Sequence, residues 1–291
     1  MKKLLLASTA LVASAGIAAA DVTLSGDGRM GIVYDESVDT TEENELAFTS
    51  RARVTFTLSG QTDAGLAFGG SFRADNAGTN GTAGNGAVNG QAGSVFISGD
   101  FGRITMGDTN GAAQFVVGNI AGVGLTGLGD LNDNTYLGNP GGQRPIARYD
   151  INVSGFTFAA SHTNPGSAAA DVFALGVGYS TDMFSVGLGY EKVSGGADHV
   201  IVGASGTFEG VTVRADYGTL SGAANDQYGV SVSGSFDAVS ATAFYQRDFD
   251  GGNNYGLGAS YSLGGGASFV AGIVRDGGSN LRADAGLSFS F

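Results

Sequence analysis

Apolar and polar residues alternate along much of this chain, and this alternation constrains the fold more than any other feature of the sequence. The C-terminal segment shows it most clearly. Apolar side chains fall at every second position from Leu281 to Phe291, and Arg282, Asp284 and small or hydroxyl residues fall between them. Because successive side chains of a β-strand point to opposite faces, this segment is predicted to be a strand with one apolar and one polar face.

Similar segments recur through the chain and alternate between short polar turns and longer loops. Tilted strands that cross a bilayer need about 9–11 residues each, so about sixteen strands fit this length, whereas twenty-two would leave too little for the loops and eight too much. The sequence predicts an all-β fold, a transmembrane antiparallel β-barrel, with its apolar faces toward lipid. The sixteen predicted strands are 22–34, 46–60, 64–74, 91–99, 102–109, 146–154, 155–162, 171–180, 184–192, 199–207, 211–217, 226–236, 239–247, 254–263, 267–275 and 281–291.

Composition supports strands over helices. The chain has 52 glycines, which weaken helices, but only 3 prolines, so we expect no helix after the export segment and no disordered proline-rich chain. Tryptophan is absent, and tyrosine and phenylalanine fall mainly near predicted strand ends, as at membrane interfaces. A soluble β-sandwich, in which the apolar faces pack on each other, is the alternative.

The first twenty residues are predicted to be a signal peptide rather than structure. Lys2 and Lys3 precede an apolar run from Leu4 to Ile17, and small residues follow at 18–20. The run is too short and too rich in alanine and serine for a good membrane anchor. We therefore expect residues 1–20 to be removed and residues 21–291 to form the barrel; a buried N-terminal helix is the alternative.

The charge balance narrows the class of partner. Without residues 1–20 the chain keeps 12 basic and 27 acidic residues, a formal charge of −15, and all but one of those cations are arginine. Such acidity argues against nucleic acid as a partner. Cysteine is absent, which excludes disulfides and cysteine-built metal sites.

Three connections stand out. Residues 35–45 hold six acids and no base, which predicts a solvated outer loop, and residues 75–91 are mostly small and polar. The connection from 109 to 145 is the longest, and long connections in compact domains are usually functional. Its uncharged stretch 111–129 is predicted to be a folded loop rather than a membrane helix. The glycine pattern at 122–127 resembles a dinucleotide fingerprint but lacks the βαβ context that such a site requires.

Arginines give the sharpest candidate site. Asp130 and Asp133 in the long connection could offset a cluster of cations if that connection folds inward, and Arg148 is a candidate extension of the same basic wall. A pore with basic groups on one wall and acidic groups on the opposite wall has a transverse electric field, which orders water and disfavours apolar solutes. Four unrelated surface arginines are the alternative reading. The four that share the polar face of the first three predicted strands are Arg29, Arg51, Arg53 and Arg73.

Residues for catalysis are scarce. The sequence has neither a Gly-x-Ser-x-Gly nor a His-Glu-x-x-His motif, and its two histidines, His162 and His199, are expected to lie exposed near strand ends. An outer-membrane hydrolase would need a base beside a nucleophile. We therefore predict that the protein is not an enzyme. A hydrolase that uses these histidines, and a non-conducting barrel that acts as an adhesin or structural protein, stay open as alternatives.

Several short stretches resemble general bacterial porins, and most of all the alphaproteobacterial porins of the Rhodobacter type. The likeness extends over the mature chain, but only these stretches are specific, and the lack of tryptophan departs from many barrels. The stretches are Asp21 to Arg29, Ser50 to Val54, Phe101 to Gly107, and the terminal Phe291.

This resemblance implies a homotrimer of sixteen-stranded barrels in the outer membrane of a Gram-negative bacterium, each narrowed by an inward-folded third loop. It implies passive diffusion of ions and small hydrophilic solutes, with lipid and lipopolysaccharide as surroundings. Net negative charge predicts a mild cation preference. The arginines and the two loop acids would be the constriction, and Phe291 would be the assembly signal. Some relatives bind calcium, but no specific ligand cluster is visible here, so we expect no cofactor.

Overall fold

The computed structural model describes residues 20–37, 45–75, 93–138, 145–166 and 170–291, which form one closed barrel of sixteen antiparallel strands. Each strand pairs with its sequence neighbours, and the last strand pairs with the first. The strands are β1 (Asp21–Asp35), β2 (Leu46–Gln61), β3 (Ala67–Asp75), β4 (Gly93–Gly99), β5 (Gly102–Gly107), β6 (Ile146–Val153), β7 (Phe156–His162), β8 (Val172–Ser180), β9 (Phe184–Val193), β10 (Asp198–Phe208), β11 (Val211–Leu220), β12 (Gln227–Phe236), β13 (Val239–Arg247), β14 (Asn253–Gly264), β15 (Ala267–Arg275) and β16 (Leu281–Ser290).

The predicted sixteen-stranded antiparallel barrel is therefore confirmed, and the sandwich alternative is wrong because one closed sheet leaves no second sheet to pack on. β3 begins later than predicted because residues 62–66 form a tight turn. The backbone N–H of Thr62 donates to the carbonyl of Leu66 at 2.8 Å, and Gly65 takes a φ of +84°. Residues 1–19 and most of the two polar loops predicted at 35–45 and 75–91 lie outside the described residues.

The outer surface is apolar along every wall. Val22 and Leu24 on β1, Phe48 on β2 and Leu257 on β14 are all exposed, as are apolar residues of every other strand except β16, whose outward apolar side chains are half-buried. Their neighbours in sequence face the interior, because side chains alternate across the sheet. Apolar atoms outside and polar atoms inside are what a barrel surrounded by lipid requires.

The connection between β5 and β6 contains a short helix, α1 (Ala112–Val117). The expectation of no helix in this part of the chain is wrong. Gly111 accepts the first helical hydrogen bond, from the N–H of Phe115, and Gly118 ends the helix at a φ of +68°. The described residues contain no helix that is long and apolar enough to cross a membrane.

The described part of this connection, residues 108–138, lies inside the barrel and is called the inward loop below. Its apolar side chains form two clusters with the inner wall, so the hydrophobic core of the molecule lies within the barrel on one side. The first cluster contains Ala112, Ala113, Val117, Tyr136, Ala159, Ala174 and Ile201. The second contains Ile120, Val123, Leu128, Phe244 and Val274.

A row of inward-facing glycines makes room for the inward loop. A Cβ added at any of them would lie less than 3.0 Å from an atom of that loop. The order of these glycines around the barrel matches the order of the loop residues that they contact. Positions on β8 and β9 face α1, and positions on β16 and β1 face Leu125. We call this row the glycine lane: Gly176, Gly178, Gly187, Gly189, Gly203, Gly229, Gly258, Gly272, Gly286 and Gly31.

Candidate functional site

The four predicted arginines face the lumen from β1, β2 and β3. The strand register sets Arg29 opposite Arg51, Arg53 between Asp27 and Asp75, and Arg73 opposite Thr55. The residues between them in sequence, such as Met30, point outward. The structure therefore brings the four arginines together on one stretch of inner wall, which we call the arginine wall.

Carboxylates of the same wall pair with the two central arginines. Asp27 accepts a hydrogen bond from Arg51 Nη2 at 2.5 Å. Asp75 Oδ2 accepts from Arg53 Nη2 at 2.8 Å and from Nε at 2.9 Å, and Arg53 Nη1 lies 3.8 Å from Asp27. Neither acid is among the residues predicted from the sequence, although each shares the polar parity of the arginines and lies at matching register.

The outer members of the arginine wall are not paired in this way. Within the described residues, Arg29 and Arg73 make no ion pair. Arg29 Nη1 has only the carbonyl oxygen of Leu125 at 3.5 Å, which is a long hydrogen bond. Within the described ranges, two guanidinium groups of the wall are therefore in ion pairs and two are not.

Arg148 faces the lumen from β6 but is buried. Its Nε donates to Asp150 at 3.0 Å, and Nη1 donates to Thr109 Oγ1 and the Asn110 carbonyl, both at 2.9 Å. The guanidinium lies 3.7 Å from the ring centre of Phe115, a cation–π contact. Arg148 therefore holds the start of the inward loop, in addition to any role in the predicted basic wall.

Two backbone segments of the outgoing loop are held by side chains of distant strands. Ser161 on β7 accepts from the N–H of Ala112 at 2.8 Å, at the start of α1. At the far end, Asp284 on β16 accepts from the N–H of Leu125 at 2.9 Å and of Thr126 at 2.6 Å. The Thr126 hydroxyl adds a third hydrogen bond at 2.7 Å. These contacts hold the loop across the barrel from β7 to β16.

The returning part of the loop is held by a buried carboxylate. Glu191 on β9 accepts from the N–H groups of Leu137 and Gly138, each at 2.8 Å, and also contacts His199 Nδ1 at 2.7 Å. Glu191 and His199 are fully buried. The expectation that His199 is exposed is wrong, because the inward loop covers the lumenal face of β10. His162 is half-buried and lies 2.6 Å from the carbonyl of Thr163.

Asn134 completes the return by bridging two strands. Its side-chain amide donates to Asp216 on β11 at 2.8 Å and accepts from Gln246 on β13 at 3.0 Å. Tyr136 donates its hydroxyl to the Gly118 carbonyl at 2.6 Å, and burial raises the pKa of this phenol well above its usual range. Asn134 thus ties the returning part of the loop to the barrel wall, and Tyr136 ties it to the outgoing part.

The two predicted loop acids take different positions. Asp130 lies at the loop tip with a φ of +53° and lines a cavity of about 410 Å³ together with Arg29 and Arg282. Asp133 accepts from the side-chain amide of Asn132 at 3.2 Å. Burial and the neighbouring Asp130 raise its pKa. Neither acid forms an ion pair with an arginine of the described chain.

Phe291 follows the last strand and is 84% exposed. Its N–H donates to the carbonyl of Gly26 at 2.9 Å, and its carbonyl accepts from the N–H of Gly26 at 3.2 Å. The terminal residue therefore belongs to the seam between β1 and β16. Nothing in these contacts bears on its predicted part in assembly.

A cation site of ordinary type is not visible: the described ranges contain no group of three or more histidine and acidic side chains placed to hold a metal ion.

A closed sixteen-stranded barrel with an apolar exterior, a charged lumen and a loop folded across it has the architecture of a general diffusion channel. The family model described as Gram-negative porin matches residues 7–281. This chain belongs to the Gram-negative porin family, whose members are channel proteins. Family and fold together imply location in the outer membrane.

Curated relatives and solved structures agree with this assignment. The porin of Rhodobacter capsulatus is 34% identical, covering 93% of this chain and 100% of the relative. The porin of Fuscovulum blasticum is 26% identical at the same coverages. A refined porin structure matches with a TM-score of 0.76 and 33% identity, covering 93% of this chain and all of the other. A mutant of Rh. blastica porin, 22% identical, shares the fold with a TM-score of 0.75.

Proposed function

We propose that this porin is a passive channel for ions and small hydrophilic solutes with a mild preference for cations. The observation that carries the cation preference is the pairing of the central arginines. Arg51 and Arg53 are compensated by Asp27 and Asp75, so the arginine wall holds less net positive charge than its four guanidinium groups suggest. The excess acid of the whole chain then dominates the field along the path.

The short-turn end of the barrel supports the same preference. Five of its connections carry one exposed acid each, and none carries lysine or arginine. Such a ring raises the local concentration of cations at that mouth. The acids are Asp63, Asp100, Asp182, Glu209 and Asp237.

A planar-bilayer recording in a salt gradient tests this proposal. We expect stepwise conductance increments and a reversal potential whose sign reports higher permeability for the cation. Absence of increments would remove the channel function itself. A reversal potential of zero, or of the opposite sign, would remove only the cation preference.

The proposal also includes a homotrimer surrounded by lipid and lipopolysaccharide, which rests on the family resemblance. Its test is the mass of the detergent-solubilised protein by light scattering after subtraction of detergent. A monomeric mass in mild detergent would contradict it.

Transport is proposed to need neither catalysis nor a cofactor. The buried position of His199 under the inward loop leaves this histidine without access to a solute. We expect conductance to be unchanged by a calcium chelator, and a loss that added Ca²⁺ restores would contradict this. Hydrolysis of model esters that depends on His162 or His199 would contradict the absence of catalysis.

A further inference from the structure

One lumenal cavity has a chemistry that the channel function does not explain. It measures about 410 Å³ and lies between β1, β2 and β16 on one side and the tip of the inward loop on the other. Arg29, Thr49 and Arg282 line its strand side, and Asp130 lines its loop side. We call it the loop-tip cavity.

The residues on the strand side of the loop-tip cavity include three buried polar atoms without a hydrogen bond in the described part of the chain. Nε of Arg29, Nε of Arg282 and Oγ1 of Thr49 are buried and have no hydrogen-bond partner among the described residues. Thr49 as a whole is only 4% exposed. Buried polar groups are almost always hydrogen-bonded, so three exceptions among the residues that line one cavity show that this stretch of wall is incompletely hydrogen-bonded.

The two arginines of the cavity differ in their charge balance. Arg282 Nη2 donates to Asp276 at 3.1 Å, and its Nε lies 3.5 Å from Asp35, so its charge is compensated. Arg29 has only the long contact to the Leu125 carbonyl. Among the described residues, Arg29 is therefore the cation of this cavity that forms no ion pair.

The loop side offers a free anion. The carboxylate of Asp130 makes no hydrogen bond and no ion pair within the described chain. The backbone of Asp130 lies in the left-handed region, which is uncommon for residues other than glycine but is adopted by aspartate more often than by most. Arg29 and Asp130 line the same cavity but lie too far apart to pair with each other. A single solute that bridges them must carry a negative and a positive charge.

We propose that the loop-tip cavity binds a small zwitterion of the α-amino acid type, with its carboxylate at Arg29 and its ammonium at Asp130. A simple anion would be attracted to Arg29 but repelled by the carboxylate of Asp130. A simple cation would be attracted to Asp130 but repelled by Arg29. The inference rests on the proposed channel, because the solute reaches the cavity through the open lumen.

The test uses single channels in KCl with L-alanine as the probe. We expect a saturable fall in conductance as L-alanine increases. Propionate lacks the ammonium, ethylammonium lacks the carboxylate and propionamide lacks both charges, so each should produce no saturable effect. This series needs no variant and so does not depend on the folding of one.

Two variants and one control locate the effect. Arg29→Gln and Asp130→Asn should each weaken the apparent affinity for L-alanine about tenfold or more, since each removes a charged partner. Asparagine tolerates the left-handed backbone at 130, so the second variant changes charge without strain. Arg103→Gln removes another lumenal arginine, on β5 and outside the cavity, and should keep the wild-type affinity.

The outcomes separate this inference from the proposed function. A channel that conducts but shows no saturable response to L-alanine overturns the zwitterion site and leaves the channel intact. A response to propionate equal to that of L-alanine, unchanged by Asp130→Asn, would make the cavity a plain anion site and also overturn the inference. No conductance at all would overturn the channel itself.

Discussion

The two halves of the lumenal wall differ in what they present to the lumen, since one carries long charged side chains and the other carries glycines. The arginine wall on β1, β2 and β3 fills its side of the lumen with long charged side chains that are partly buried in ion pairs. The wall from β8 to β16, continued by Gly31 on β1, presents the glycine lane, and the inward loop fills the space that side chains would have taken. Both walls are built on strands with the same alternation of side chains. The pore is narrowed by the backbone of the inward loop on one side and by charged side chains on the other.

The two halves also differ in the interactions that hold them. A loop that packs against glycines lies close to the wall and is held by apolar contact and buried hydrogen bonds. The arginine wall is held by ion pairs that are partly exposed and therefore weaker. Substitutions in the glycine lane or at the loop anchors should change stability and channel noise. Substitutions in the arginine wall should change ion preference.

The largest effect is expected at the anchor on β16. Asp284→Ala removes the acceptor for the N–H groups of Leu125 and Thr126, and we expect a loss of about 2 kcal/mol or more in the seating of the loop tip. Single-channel recordings should show strongly increased open-channel noise. Ser288→Ala, on the same face of β16, is the matched control. A quiet channel in Asp284→Ala would show that the apolar contacts hold the tip alone.

A methyl group in the glycine lane should have the next largest effect. In Gly272→Ala the new Cβ would lie 2.5 Å from the Cα of Gly124 and 2.6 Å from its nitrogen, so backbone must move. We expect a loss of about 1–3 kcal/mol, seen as a lower thermal unfolding midpoint in detergent. Gly206→Ala places its Cβ near nothing closer than 3.9 Å and should melt as the wild type does. Equal midpoints would contradict close packing of the loop.

The arginine wall is tested by charge. Replacing Arg51 and Arg53 together with glutamine removes two positive charges from beside Asp27 and Asp75, so the permeability ratio of cation to anion should rise about twofold or more. Reversal potentials measure this ratio, and conductance should change as well. Replacing Arg247 and Arg275, which lie on the outward parity of β13 and β15, removes the same charge outside the lumen. An equal shift in both variants would remove Arg51 and Arg53 from the constriction.

The smallest effect concerns the acidity of the loop. The raised pKa of Asp133 means that the folded protein binds its proton more tightly than the unfolded chain, whose pKa is near the ordinary 3.8. This contribution to stability is therefore present at low pH and is lost as pH rises through the raised pKa. Asp133→Asn should melt slightly higher than the wild type at neutral pH. The gap should close as the pH falls, and a gap that is constant with pH would contradict the shift.

The barrel could be predicted from sequence because the alternation that specifies each strand is contained within that strand. Each strand must place apolar residues outside and polar residues inside, so period two alone predicts sixteen strands with nearly correct ends. Parity also predicts which arginines face the lumen. Asp27 was within reach of the same reasoning, because it lies two residues before Arg29 on the polar face, but the pairing needs the register between strands.

The seat of the inward loop could not be predicted in this way. Leu125 and Asp284 are 159 residues apart, and nothing local to either residue indicates the other. The glycine lane leaves no pattern of its own, since an absent side chain marks space but not what fills it. His199 was expected at the surface for a related reason: its position near a strand end says nothing about a loop that returns from elsewhere to cover it.

The bond between Asp284 and the loop tip has a consequence for biogenesis. The acceptor lies on β16, the strand that closes the seam with β1. Without β16 the loop tip has no Asp284 to hold it, so closure of the barrel and seating of the loop tip depend on the same strand. A barrel that lacked β16 would have both an open sheet edge and an unanchored loop tip.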